Sequence, residues 1–153
     1  MTPAQNQPIL VVEDSPEDFE TIMRAFKRAR IVNQVFHCED GDDALDFIFN
    51  RGPYADDKKY PRPGLILLDL NLPGTDGREV LETIKNTDRL RRIPILVLTT
   101  SSDQRDIDSC YEAGANSYIQ KPVDLGGFMA AIGRLKEYWL ELVILSNPVG
   151  GDG

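Results

Sequence analysis

A doubly wound α/β domain is the fold class this sequence predicts, on three observations. Three short apolar runs, Ile9-Leu10-Val11-Val12, Leu65-Ile66-Leu67-Leu68 and Ile93-Pro94-Ile95-Leu96-Val97-Leu98, are nearly continuous rather than alternating. Strands buried on both faces of a parallel sheet read this way. Stretches with apolar residues at helical spacing lie between the runs, so strand and helix alternate along the chain. The length of 153 residues suits one domain able to bury a real core.

The elements follow in order. Ile9 to Val12 is the first strand. Pro16 to Arg30 carries Phe19, Ile22, Met23 and Phe26 as one apolar stripe, with Ser15 as N-cap and Pro16 at the first helical position. Gln34 to Cys38 is a weaker strand. Asp42 to Asn50, with Ala44, Leu45, Ile48 and Phe49, is the second helix. Arg51 to Pro63, rich in Pro, Asp, Lys and Tyr, reads as one long loop before the strand at Leu65 to Leu68. Asp76 to Asn86, with Val80, Leu81 and Ile84, is the third helix, and Ile93 to Leu98 the fourth strand. Asp103 to Ala113, with Ile107, Cys110 and Tyr111, is the fourth helix, closed by Gly114. Ser117 to Gln120 is the fifth strand. Asp124 opens a last helix whose apolar residues Leu125, Phe128, Ile132, Leu135, Trp139 and Leu142 are spaced 3, 4, 3, 4 and 3. There is no internal repeat and no interdomain linker. The expected domain covers residues 8–145, between flexible ends at 1–7 and 146–153.

Composition narrows the function classes. Hydrophobic residues make up 41% and charged residues 27%, ordinary for a globular protein. A formal net charge of −8 argues against nucleic acid, which needs clustered Lys and Arg. Met1 to Pro8 lacks the apolar core of a secretory signal, and no apolar run is long enough to cross a bilayer. Cys38 and Cys110 are expected as reduced core thiols, so the cytoplasm is the expected compartment.

In an open parallel sheet, ligands bind beyond the carboxyl ends of the strands. The first strand ends in Glu13-Asp14, the third in Asp69, the fourth in Thr99-Thr100 and the fifth in Lys121-Pro122. Three carboxylates, a hydroxyl and an ammonium thus converge on one edge. Carboxylates packed together either rise in pKa or bind a cation, and an oxygen-only site that keeps waters suits Mg²⁺. A carboxylate can itself be a nucleophile, forming an aspartyl phosphate. Transfer of a phosphoryl group needs positioning and positive charge around its three equatorial oxygens. Mg²⁺, Lys121 and the Thr99 hydroxyl would each take one of them.

These residues resemble the receiver domains of two-component response regulators, the CheY-like group. The matching motifs are Val12-Glu13-Asp14-Ser15, Leu67-Leu68-Asp69-Leu70-Asn71-Leu72-Pro73-Gly74, Asp76-Gly77, Val97-Leu98-Thr99-Thr100 and Tyr118-Ile119-Gln120-Lys121-Pro122. Asp69 and Thr99 are 30 residues apart, and Thr99 and Lys121 are 22 apart, as in that family. The resemblance covers Pro8 to Leu142. It implies a five-stranded parallel sheet in the order 2-1-3-4-5, flanked by five helices. It implies Asp69 as the phospho-acceptor, Asp14 as a direct Mg²⁺ ligand, and Glu13 acting through water. Asn71 would lend its backbone carbonyl to the metal. Thr99 and Lys121 would hold the phosphoryl oxygens, Tyr118 would be the switch aromatic, and Lys121-Pro122 would be cis. Asn71 and Ser101 occupy positions that tune phosphoryl lifetime.

Two features depart from the minimal pattern. Thr100 stands where many receivers carry Ala or Gly and would restrict access to the site, and the 51–63 loop is longer than usual. Gly52-Pro53-Tyr54, Pro61-Arg62-Pro63, Leu70-Asn71-Leu72-Pro73-Gly74 and Leu98-Thr99-Thr100-Ser101-Ser102 together make the chain resemble the small regulators of bacterial phytochrome histidine kinases. That implies a light-regulated kinase as phosphodonor. The tail after the last helix is too short for a DNA-binding module, so the expected output is protein–protein contact or phosphoryl relay. Tyr138, Leu140, Val143, Ile144 and Leu145 exceed what one packing face needs, so a homodimer through this region is expected. Arg24, Lys27, Arg28 and Arg30 are a solvated basic face and a candidate kinase-docking surface, and His37 is read as a plain strand residue.

Other readings are weaker. A haloacid-dehalogenase-type phosphatase places a second Asp two residues after its nucleophile, where this chain has Asn71, so turnover of outside substrates is not expected. A flavin-binding protein would need a phosphate loop where Glu13-Asp14 stands. A pseudo-receiver that binds without phosphorylation would not need Asp14, Asp69, Thr99 and Lys121 together.

Overall fold

A computed structural model describes residues 7–100, 104–115, 117–121, 125–130 and 133. The elements are β1 (Ile9–Val12), α1 (Pro16–Arg28), β2 (Val35–Cys38), α2 (Gly41–Ile48), β3 (Leu65–Asp69), α3 (Gly77–Lys85), β4 (Ile95–Thr99), α4 (Gln104–Glu112) and β5 (Ser117–Gln120). Residues 125–130 are helical. The five strands form one parallel sheet in the order β2-β1-β3-β4-β5, as expected. Among the described residues, no helix is long and apolar enough to cross a membrane. Ser101, Ser102, Pro122 and the C-terminal stretch from Tyr138 to Leu145, to which expectations above were attached, lie outside the described residues.

The continuous apolar runs are explained by two cores. Successive strand residues point to opposite faces. Leu10, Val12, Ile66, Leu68, Ile95 and Val97 pack under α2 and α3, with Phe47, Val80 and Leu81. Ile9, Val11, Leu65, Leu67, Leu96 and Leu98 pack against Ile22, Ala25 and Phe26 of α1 and against Phe128. Both faces are covered, so alternation disappears from the sequence.

The ends of the elements differ from expectation in instructive ways. Ser15 caps α1 by accepting the Asp18 N–H at 3.2 Å, with Pro16 following, as expected. That helix stops two residues early. Arg30 takes a positive φ of 59°, and Ile31 N–H returns to Phe26 O at 2.9 Å, closing the helix in a Schellman turn. Asn50, φ 53°, closes α2 the same way through Arg51 N–H to Asp46 O. Gly114, φ 109°, closes α4 as expected. Strand β3 runs on to include Asp69 and β4 to include Thr99, so both residues are the last rungs of buried strands.

The 51–63 stretch is not a bare loop. It contains a 3-10 turn at Gly52–Tyr54. Asn50 Nδ2 donates to the carbonyls of Tyr54 and Tyr60, and Tyr54 Oη donates to Asp43 at 2.8 Å. The rings of Phe36, Phe47, Tyr54 and Tyr60 meet at centroid distances of 5.0 to 5.9 Å, tilted or edge-on. Cys38 and Cys110 are free and buried, as expected.

Candidate functional site

The parallel register delivers Glu13, Asp69, Thr99 and Lys121 to one edge. Backbone bonds continue past the strands: Glu13 N–H to Cys38 O, Leu70 N–H to Leu98 O and Lys121 N–H to Thr99 O, at 3.0, 2.9 and 2.6 Å. All four side chains are buried, at 0%, 2%, 1% and 8% exposure, although each is polar or charged. Polar groups at this depth are costly unless they find partners.

Asp69 finds two. Its Oδ1 accepts the Asn71 N–H at 2.9 Å, and its Oδ2 accepts from Lys121 Nζ at 3.2 Å. The carboxylate is therefore fixed in direction. Gly77 contributes to this from behind. A Cβ there would lie 2.5 Å from Asp69 O and 2.6 Å from Leu70 Cα, so only glycine lets α3 start this close to the strand end.

Glu13 is only partly satisfied. Its Oε2 accepts the Ser15 N–H at 3.1 Å. Its Oε1 has only the Lys121 ammonium, an ion pair at 2.7 Å, and no other donor among the described residues. Burial pushes the Glu13 carboxyl up to about 7, with Asp69 adding to the rise and Lys121 opposing it. Burial would lower the Lys121 ammonium, but Glu13, Asp18 and Asp69 outweigh it and raise its pKa.

Glu13, exposed Asp14 and Asp69 can bring one carboxylate oxygen each to within 4.8 Å of one another. Two buried carboxylates that share a single ammonium, with solvent-open Asp14 able to converge on them, fit a divalent cation of the Mg²⁺ or Mn²⁺ type. Asn71 and Thr100 are exposed at the rim, where Asn71 Nδ2 donates to Thr100 Oγ1 at 3.0 Å. Tyr118 pairs with Val97 across β4 and β5, is half-buried against the larger core, and burial raises the pKa of its phenol.

Two site neighbours were missed in the sequence. Asp18 Oδ2 lies 2.9 Å from Lys121 Nζ. Its place three residues after the Ser15 N-cap reads as a helix cap, which hides it. His37, read as a plain strand residue, bonds through Nε2 to the Glu13 carbonyl at 2.8 Å and stacks on Phe19 at 3.7 Å. The basic face of α1 is exposed, and Arg24 pairs with Glu20 at 2.8 Å, a solvent-screened contact of small worth.

Known proteins resemble this chain in sequence and fold. Response regulator Rcp1 of Synechocystis sp. is 40% identical over 147 residues, covering 95% of this chain and 98% of Rcp1. The crystal structure of the phosphorylated cyanobacterial phytochrome response regulator RcpA matches with a TM-score of 0.79 at 38% identity, over 88% of this chain and 94% of that one. The Mn²⁺-bound form of Rcp1 matches with a TM-score of 0.77 at 40% identity, over 88% and 95%. The sequence profile described as "Response regulator receiver domain" spans residues 9–133. With a buried acidic edge on a 2-1-3-4-5 sheet and relatives of this similarity, the chain belongs to the response regulator receiver domain family.

Proposed function

We propose that this chain is a response regulator, with its receiver over residues 8–145, that accepts a phosphoryl group on Asp69. The observation that carries the proposal is the Asp69 carboxylate, buried and held from two sides by the Asn71 N–H and the Lys121 ammonium. In the transfer an Asp69 oxygen attacks phosphorus. The bond from phosphorus to the donor breaks, and the donor leaves with the electron pair and takes up a proton. Lys121 holds one phosphoryl oxygen and the Thr99 hydroxyl donates to another, so negative charge is met by fixed groups. Asp14, Asp69, the Asn71 carbonyl and, through water, Glu13 would hold Mg²⁺, which would supply further positive charge beside the phosphoryl group. No second acid follows at position 71, so the acceptor is suited to signalling rather than to turnover of outside substrates.

The relatives support a histidine kinase as donor, of the phytochrome type, since RcpA is a phytochrome response regulator and a bacteriophytochrome regulator, AtBRR, matches at 40% identity. Tyr118, half-buried beside Val97, is the switch aromatic: phosphorylation draws Thr99 toward Asp69 and Tyr118 turns inward. A gap of a few kcal/mol between the two states suffices for such a population shift. The cytoplasm is the compartment this reading requires. Output is protein–protein contact, including a homodimer through the C-terminal region, for which a concentration-independent monomer mass in sedimentation would be fatal.

The test is intact-protein mass after incubation with acetyl phosphate and Mg²⁺. One added phosphoryl that requires Mg²⁺ and is absent from Asp69→Asn is the expected result. No adduct on the native chain makes it a pseudo-receiver that binds without phosphorylation.

A further inference from the structure

Lys121 is surrounded by more anion than the phosphoryl site needs. Its Nζ lies 2.7 Å from Glu13 Oε1, 2.9 Å from Asp18 Oδ2 and 3.2 Å from Asp69 Oδ2. The third carboxylate comes from the first turn of α1, outside the strand-end cluster.

The ordinary role for an acid at this place is a capping box. The third residue of a helix reaches back to the N–H of the N-cap residue. Here that N–H, on Ser15, already donates to Glu13 Oε2. The Asp18 backbone completes its half of the cap by donating to Ser15 Oγ. The Asp18 carboxylate is thus released from capping and turned to Lys121. Asp18 and Lys121 line one small cleft together with Thr21, Ile22, Leu98 and Phe128. Apolar walls on one side strengthen a charge contact that full solvation would screen. The side chain is still 40% exposed, so it can exchange its partner for water at low cost.

We infer that Asp18 is a positioning residue: a displaceable counter-ion that holds the Lys121 ammonium on the α1 side in the resting state and competes with an incoming phosphoryl group for it. The inference rests on the reading of Asp69 as phospho-acceptor. A phosphoryl oxygen must recruit an N–H of Lys121. Glu13 is fully buried, so bulk water cannot take the place of Lys121 there. Asp18 is the ligand that water can replace. Asp18 therefore ties the first turn of α1 to the charge state of Asp69 and sets how tightly the site takes a phosphoryl group.

The experiment titrates beryllofluoride, the phosphoryl analogue, into the full chain at saturating Mg²⁺, read by fluorine NMR of the bound species. Native chain, Asp18→Asn and Asp18→Glu are compared. Asp18→Asn is expected to bind roughly three- to tenfold tighter, the scale of removing one partly screened charge beside the ammonium. It is also expected to shift the resonance of a bound fluorine, because Lys121 moves closer to it. Asp18→Glu, which keeps the charge, is expected to stay within about twofold of native. Bound beryllofluoride on the native chain with equal or weaker binding in Asp18→Asn overturns this inference alone. No binding by the native chain overturns the phospho-acceptor reading, and this inference with it.

Discussion

The carboxyl edge of the sheet and the 51–63 segment treat buried polar groups in opposite ways. Around 51–63, Asn50 donates to two carbonyls, the Tyr54 hydroxyl finds Asp43, and four aromatic rings close the gaps. At the carboxyl edge, three carboxylates crowd one ammonium, and buried Glu13 Oε1 has that shared ammonium as its sole partner among the described residues. The first region is built for stability and is complete. The second leaves buried charge crowded and incompletely partnered, which is what the proposed binding of a cation and a phosphoryl group would use. Strain and unmet valence of this kind gather at functional sites.

The largest expected effect separates the two regions. Phe47 is buried, and its ring meets Phe36, Tyr54 and Tyr60. Phe47→Ala should cost about 3–5 kcal/mol of stability, measured by urea unfolding. Beryllofluoride affinity, read at a temperature where the variant stays folded, should change less than about threefold, because the ring partners of Phe47 are Phe36, Tyr54 and Tyr60 and none of them belongs to the carboxyl-edge cluster. A large loss of affinity would mean the two regions are one cooperative unit.

Gly77 tests the edge from the opposite direction. In Gly77→Ala the new methyl meets backbone, 2.5 Å from Asp69 O, and backbone cannot rotate away. The expected cost is about 1–3 kcal/mol, the range for overpacking. Unlike Phe47→Ala, it should also weaken Mg²⁺-dependent beryllofluoride binding, since Asp69 itself must move. Stability loss with unchanged binding would show that the strand end tolerates displacement.

The pH dependence without Mg²⁺ should expose the incomplete region. The Glu13 carboxyl is held up to about 7, above its ordinary value of 4.5, by burial first and by Asp69 next. The unfolded chain then loses this proton near pH 4.5 while the folded chain keeps it until about pH 7. Folded-state stability from this group is therefore full below the lower value, declines between the two, and is gone above the upper one. The raised ammonium of Lys121 has the same sign, but its contribution is lost only at strongly alkaline pH, outside this window. Melting temperature should fall from pH 5 to pH 8 in chelator, and Mg²⁺ should flatten the fall. Glu13→Gln should remove the pH slope and weaken Mg²⁺ binding together. A flat profile in native chelated protein would mean that Glu13 is already ionised and satisfied.

The contrast also explains what could be read from the sequence. Strand-end residues are legible because a strand fixes direction: Glu13, Asp69, Thr99 and Lys121 follow apolar runs, and the parallel sheet brings them to one edge. Asp18 was not legible as a Lys121 partner, because its contact crosses from a helix turn to a strand end and depends on Ser15 N–H choosing Glu13 over it. The loop was under-read for a related reason. Pro, Asp, Lys and Tyr over 51–63 look polar, and only the packed geometry shows that Tyr54 and Tyr60 spend their rings on Phe47 and Phe36. The ends of α1 and α2 were placed late because Arg30 and Asn50 continue a helical pattern while their backbones leave it.

Arg30 offers the smallest and cleanest test. It closes α1 with φ 59°, and Arg30 N–H still bonds Lys27 O at 3.1 Å. A left-handed backbone is costly for a side chain with a Cβ and nearly free for glycine. Glycine also has more freedom to lose on folding, which offsets part of the gain. Arg30→Gly should therefore stabilise by about 0.5 kcal/mol, a shift in urea midpoint with unchanged slope. Because Arg30 lies at the far end of α1 from Asp18, Mg²⁺ and beryllofluoride affinities should be unchanged. A variant that becomes more stable yet binds beryllofluoride differently would show that α1 transmits strain along its whole length to Lys121. The division between a complete region and a waiting one would then have to be redrawn to include that helix in the site.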